Sequence, residues 1–238
     1  MSDSDRRRIG RPIRVALVDD HQVIADLLRH AFARQADRFE LIGSASRIAD
    51  VPALLRGAPA DVVLVDFSLP DGRGSDALRL IRRTWPRARP VLFSGSVDPT
   101  VIEEAIAAGA EGVLSKTRGI DEVLTMIERA HRGEVLLDAE LLRELIEAPG
   151  RLERAASAPK LTTRERTVLE TLLANGQIDD SASQLGIAAA TFRVHLHRAA
   201  LKLGAENRLD AVSRALRAGL IRPPEKRAVW DSNPRHED

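Results

Sequence analysis

Between residues 13 and 132 the chain switches repeatedly between two periodicities, and this alternation restricts its fold more than any single motif. Five short β-rich runs are IRVALV (13–18), FELIGSA (39–45), DVVLVD (61–66), RPVLFSG (89–95) and EGVLSK (111–116). Helical patterns separate them. In HQVIADLLRHAFARQ, Val23, Ile24, Leu27, Leu28, Ala31 and Phe32 recur on one helical stripe. Residues 47–56, 74–84, 99–108 and 120–131 are helical by period or composition. Strands that alternate with helices build a parallel sheet covered on both faces. The expected architecture over residues 12–132 is therefore a doubly wound, flavodoxin-like α/β domain with a five-stranded parallel sheet. Such sheets bind ligands at the carboxyl ends of their strands.

The alternation stops near residue 133. Residues 133–159 read as a linker, with a short helix at about 138–147 (DAELLRELIE) followed by APGRLERAASAP, whose Pro, Gly, Ala and Ser suit a flexible joint. From 160 to 222 the pattern is helical only, giving a small all-α unit of four helices. LTTRERTVLETLLANG opens with Thr162 and Glu165 at capping-box spacing and closes on Gly176. Further helices are expected at about 180–186, 189–203 and 207–218. The polar tail 223–238 is expected to be disordered. With 44% hydrophobic but only 3% aromatic residues, the cores must be built from Leu, Val, Ile and Ala. The absence of any cysteine excludes disulfides and thiolate metal sites. No run of apolar residues is long enough for a transmembrane helix, and the basic N-terminus lacks the apolar stretch of a secretory signal. The expectation is a cytoplasmic protein without a membrane partner.

Several charged residues fall at strand ends. Asp19 and Asp20 follow the first strand, Asp66 ends the third, Ser94 the fourth and Lys116 the fifth. In a parallel sheet these ends lie on one edge, so three carboxylates and one ammonium converge. Carboxylates that crowd together repel one another and raise each other's pKa. A hard divalent cation relieves this, and Mg²⁺ suits oxygen ligands with retained waters. A carboxylate screened in this way can attack a phosphoryl group, with the metal and Lys116 holding its oxygens as charge develops. Taken singly, each residue has a plainer role: Asp20 as a helix cap, Asp66 as a turn former before SLPDG, Lys116 as a solvated loop lysine.

The stretches VALVDDH, DVVLVDFSLPDG, LFSG and GVLSK resemble, in order, the motifs of the CheY-like receiver domain of two-component response regulators. The resemblance spans roughly residues 12–132. It implies a phosphoacceptor at Asp66. It also implies Mg²⁺ ligation by Asp20, Asp66 and the backbone carbonyl of Ser68, with Asp19 acting through water. Ser94 would hydrogen-bond the phosphoryl group and Lys116 would pair with it. Haloacid-dehalogenase-type phosphatases also use an Asp at a strand end, but place a second Asp two residues on as general acid. Ser68 stands there in this chain, which favours a slow switch over a turnover enzyme. Three residues before the lysine, where receivers often carry Tyr or Phe, stands Val113, and the chain has no tyrosine.

LTTRERTVLETLLANG and TFRVHLHRAALKLGAENRLDAV resemble the LuxR-type helix-turn-helix of the NarL/FixJ subfamily. Independently of that, Phe192, Leu196, Ala199 and Leu203 share one narrow arc at helical spacing, while Arg193, His197, Arg198 and Lys202 lie outside it. Thr191 and Arg193 sit near the helix N-terminus, the end that usually probes the major groove. Arg198 and Lys202 suit phosphates. From Lys160 to Arg222 there are ten Lys/Arg against six Asp/Glu, a net +4 within a chain of formal net charge +1. The implied function is a transcription regulator, not an enzyme. A partner histidine kinase would phosphorylate it, and phosphorylation would control homodimerisation and binding to double-stranded DNA.

The interval GQIDDSASQLGIA departs from the family pattern. It is one residue short, Asp179 and Asp180 replace a Lys-Glu pair, Ser181 replaces an apolar core residue, and Ala188 replaces the usual capping Ser. Asp179 is a candidate cap for the scaffold helix. These departures support a second reading, an interaction module whose degenerate helix-turn-helix no longer reads DNA.

Overall fold

The computed structural model describes residues 11–95, 98–136 and 159–222. They divide into two compact units, one ending at Gly133 and the other starting at Glu134. The helix expected over 138–147 and the tail from 223 lie outside the described residues.

The first unit begins with β1 (Ile13–Val18), α1 (Gln22–Ala33), β2 (Phe39–Ala45), a 3-10 turn (Ile48–Asp50), α2 (Val51–Leu55) and β3 (Val62–Val65). A two-residue hairpin follows, β4 (Ser68–Leu69) and β5 (Gly72–Arg73). The unit ends with α3 (Gly74–Thr84), β6 (Arg89–Ser94), α4 (Pro99–Ala107), β7 (Gly112–Ser115) and α5 (Ile120–His131). The five long strands form one parallel sheet in the order β2-β1-β3-β6-β7. From β1 the sheet grows first to one side and then to the other, so its order reverses between β1 and β3. That reversal opens the crevice in which such sheets bind ligands. β3 is fully buried over its whole length and β1 over Val15–Val18, as expected of strands covered on both faces.

Local chemistry fixes the connections. Asp98 caps α4 by accepting from the Thr100 amide at 2.7 Å, and Pro99 sits at the first helical position, where its missing N–H costs nothing. The sequence pointed to a turn at SLPDG but not to the short paired strands on either side of it. The Asp71 carboxylate accepts from the Ile48 and Ala49 amides at 2.8 and 3.0 Å, tying the hairpin to the turn before α2. These amide bonds hold the Asp71 carboxyl below the ordinary aspartate range. The α1 stripe is only half used: Leu28 and Phe32 are buried, but Val23 is 77% and Leu27 47% exposed.

The second unit contains α6 (Thr163–Asn175), α7 (Ile178–Gln184), α8 (Ala189–Leu203) and α9 (Arg208–Arg217). Thr162 and Glu165 close a reciprocal capping box on α6, and Gly176 ends that helix in the left-handed conformation at φ 75°. Only Gly176 and Gln177 separate it from α7, which starts two residues before the expected 180. α8 packs against the other three helices. Phe192, Leu196, Ala199 and Leu203 are its buried residues, the arc expected from spacing. Residues 134–136, expected within the linker, are buried in this unit, and the Val135 amide donates to the Gly176 carbonyl at 3.0 Å.

Candidate functional site

The register of the sheet assembles the acidic pocket. Val18 pairs with Val65, so Asp19 and Asp66 leave neighbouring strands side by side at the reversal point. Ser94 pairs with Ser115, and the Lys116 amide donates to the Ser94 carbonyl at 2.9 Å, which brings the lysine to the same edge. Asp19, Asp66 and Ser94 are buried, while Asp20 faces outward. Lys116 Nζ lies 2.7 Å from Asp66 Oδ2 and 2.7 Å from Asp19 Oδ2. The contact to Asp66 is an aligned hydrogen bond; that to Asp19 is an ion pair without hydrogen-bond alignment. The ammonium also stands 5.9 Å from the centroid of the Phe93 ring. The Ser68 amide is 3.5 Å from Asp66 Oδ1, so the hairpin starts directly beside the carboxylate.

Two residues of the pocket were not singled out from the sequence. His21 Nδ1 lies 2.9 Å from both Asp19 Oδ1 and Asp20 Oδ1, and 3.7 Å from Asp66 Oδ2. Its amide donates to Asp19 Oδ1 at 2.9 Å. His21, not Asp20, is the N-terminal cap position of α1, and no side chain caps that helix. The signal was present in the sequence: a third polar residue directly after two strand-end aspartates must share their edge. Gly74 is the other. A Cβ there would lie 2.1 Å from the Asp66 carbonyl oxygen, so α3 approaches the Asp66 backbone only because residue 74 has no side chain.

Asp19, Asp20, His21 and Asp66 each offer a ligand atom within 4.8 Å of the others. The donor set suits a hard divalent cation, because three carboxylates converge beside the Lys116 ammonium.

In the second unit α7 and α8 form the helix-turn-helix. Thr191, Arg193, His197 and Arg198 are exposed along α8, whereas His195 is half-buried. Lys202 is engaged elsewhere: its Nζ donates to Glu165 Oε2 at 2.7 Å, so it completes the α6 cap. Burial works to raise the Glu165 pKa, but the Lys202 ammonium and the Thr162 hydrogen bonds outweigh it and hold the carboxyl below the ordinary glutamate range.

The departures within α7 are resolved by its own chemistry. Ser181 is fully buried, and its hydroxyl donates to the Gln177 carbonyl within the helix and lies 3.2 Å from the Thr171 carbonyl in α6. A polar group at a core position is tolerated when it is hydrogen-bonded. Asp179 does not cap α7; that position is Gln177, whose side chain makes no capping bond. Asp179 and Asp180 occupy the first turn, where the helix dipole favours negative charge. Ala188 leaves the N-terminus of α8 without a side-chain cap.

The response regulator receiver domain matches residues 15–128, and the luxR family of bacterial regulatory proteins matches residues 159–215. YxjL of Bacillus subtilis, an uncharacterized transcriptional regulatory protein, is 30% identical over 88% of this chain and 97% of its own length. The chain belongs to the LuxR-family response regulators. The DNA-binding transcriptional activator DevR/DosR of Mycobacterium tuberculosis is likewise 30% identical, over 89% of this chain and 98% of its own. Among solved structures, the RcsB response regulator of Salmonella typhimurium shares the fold with a TM-score of 0.52 at 20% identity, covering 86% of this chain and 99% of that one. As in other response regulators, the first unit is the receiver and the second the DNA-binding output domain. No described helix is long and apolar enough to cross a membrane.

Proposed function

We propose that Asp66 is the phosphoacceptor of this response regulator and that a histidine kinase is its phosphodonor. The observation that carries this reading is the Lys116 ammonium 2.7 Å from the buried Asp66 carboxylate, at the sheet's reversal point. An Asp66 carboxylate oxygen attacks phosphorus, the bond to the kinase imidazole breaks, and the electron pair returns to that imidazole. The result is an acyl phosphate. Lys116 offsets charge gathering on the phosphoryl oxygens, and Ser94, at the end of the neighbouring strand, donates a hydrogen bond to one of them. Asp19, Asp20, Asp66 and the Ser68 carbonyl would hold Mg²⁺, which supplies Lewis-acid screening of the incoming negative charge. The added group carries about −1.5 to −2 charges, enough to bias repacking of α4 and its neighbours and so to control dimerisation.

On the output side, Thr191, Arg193 and His197 meet bases or the groove edge, and Arg198 meets phosphate. Lys202, already paired with Glu165, makes the weaker phosphate contact. The well-satisfied Ser181 and the buried α8 arc favour this reading over a module that has lost DNA. Asp66→Asn is expected to abolish radiolabelled acyl-phosphate formation in Mg²⁺; label persisting in that variant refutes the assignment. Mobility shifts of the phosphorylated wild type on genomic fragments test the output. Failure to prefer any fragment at low salt would leave the interaction-module reading.

A further inference from the structure

Asp179 in the first turn of α7 and Arg193 in the first turns of α8 face each other across the helix-turn-helix. Arg193 Nη2 lies 3.5 Å from Asp179 Oδ1. The arginine is 57% and the aspartate 77% exposed. A pair that open and that long contributes almost nothing to folding. Its consequence lies where the pair points. Arg193 borders a groove with Ile178, Leu196, His197 and Leu201, on the helix proposed to read bases.

We infer that Asp179 is a specificity-determining residue that withholds Arg193 from DNA phosphates; the inference rests on the proposed reading of DNA by α8. An arginine without a partner binds any phosphate, because that attraction is independent of sequence. With Asp179 beside it, a phosphate approaching Arg193 also meets a carboxylate. A guanine edge presents neutral acceptors, so the carboxylate repels it far less than a phosphate. The guanidinium has five N–H donors in a fixed fork, so it can retain Asp179 through one and still offer others to a base. Asp179 therefore penalises the wrong contact without blocking the right one, and specificity depends on that difference. Asp180 shares the charge and the first turn of α7, but Asp179 is the one whose carboxylate meets Arg193.

The test uses the full chain treated with acetyl phosphate. A duplex is first enriched from a random library by the wild type; enrichment of a defined sequence reports on the proposed DNA reading itself. Affinity for that duplex and for a scrambled one is then followed by fluorescence anisotropy across a salt series. Asp179→Asn is expected to tighten binding to the scrambled duplex, to steepen its salt dependence by about one unit of slope, and to lower the specific-to-scrambled ratio about tenfold. Asp180→Asn is expected to tighten both duplexes alike and leave the ratio unchanged. In an Arg193→Ala background, Asp179→Asn should behave like Asp180→Asn. An unchanged ratio in Asp179→Asn, an equal fall in Asp180→Asn, or an Asp179→Asn effect that survives in Arg193→Ala overturns the inference, even where the wild type enriches a sequence.

Discussion

The acidic pocket of the receiver and the basic face of α8 place their charges in opposite solvent regimes. Asp19 and Asp66 are buried and share one ammonium at 2.7 Å, so each charge there is defined by the others. Arg193 and Asp179 meet at 3.5 Å in open water. Water screens the second pair and not the first. A buried cluster therefore declares its chemistry through its own geometry. An exposed face acquires its meaning from what docks on it.

If the receiver is tightly determined, its backbone should resist small changes most. Gly74→Ala forces a Cβ against the Asp66 carbonyl oxygen, and a loss of about 4 kcal/mol is expected, measured by urea unfolding of the receiver transition. A loss under about 1 kcal/mol would mean that α3 can back away from Asp66. Next is Lys116→Met, which leaves two buried carboxylates without their cation. A loss of about 3 kcal/mol is expected in EDTA. Excess Mg²⁺ should stabilise this variant more than the wild type, as read by the shift in melting temperature.

Smaller effects are expected in the output domain. Glu165 has its pKa lowered on folding, so its stabilisation is complete above the ordinary glutamate value of 4.5 and is lost as pH falls through the lower folded value. The output transition should weaken with acid over that window, and Glu165→Gln should be less stable near neutrality but lose this part of the pH dependence. The smallest change is Ala188→Ser, which restores a cap to α8. It should add about 0.5–1 kcal/mol to the output transition in thermal unfolding.

Much of this was legible in the residues. Strand ends were placed to within a residue because the apolar runs of a sheet covered on both faces stop where the sheet stops. The capping box of Thr162 and Glu165 and the stop at Gly176 were legible because each depends on neighbours in sequence. His21 and Gly74 were not singled out. Their roles need two segments brought together: the ends of β1 and β3 for the imidazole, the Asp66 backbone and α3 for the glycine. The half-exposed stripe of α1 misled for a related reason, since periodicity reports which residues share a face and not how much of that face the sheet covers.

By itself the sequence determined the alternation of strands and helices, the carboxylates at the strand ends and the buried arc of α8, all set by local periodicity. Only the tertiary structure decided where the remaining polar groups find partners. It turned Lys202 to Glu165, satisfied Ser181 through Gln177 and Thr171, and set Asp179 against Arg193. Long, flexible or small polar side chains take their partners from whatever the packed helices bring within reach, and no periodicity encodes that.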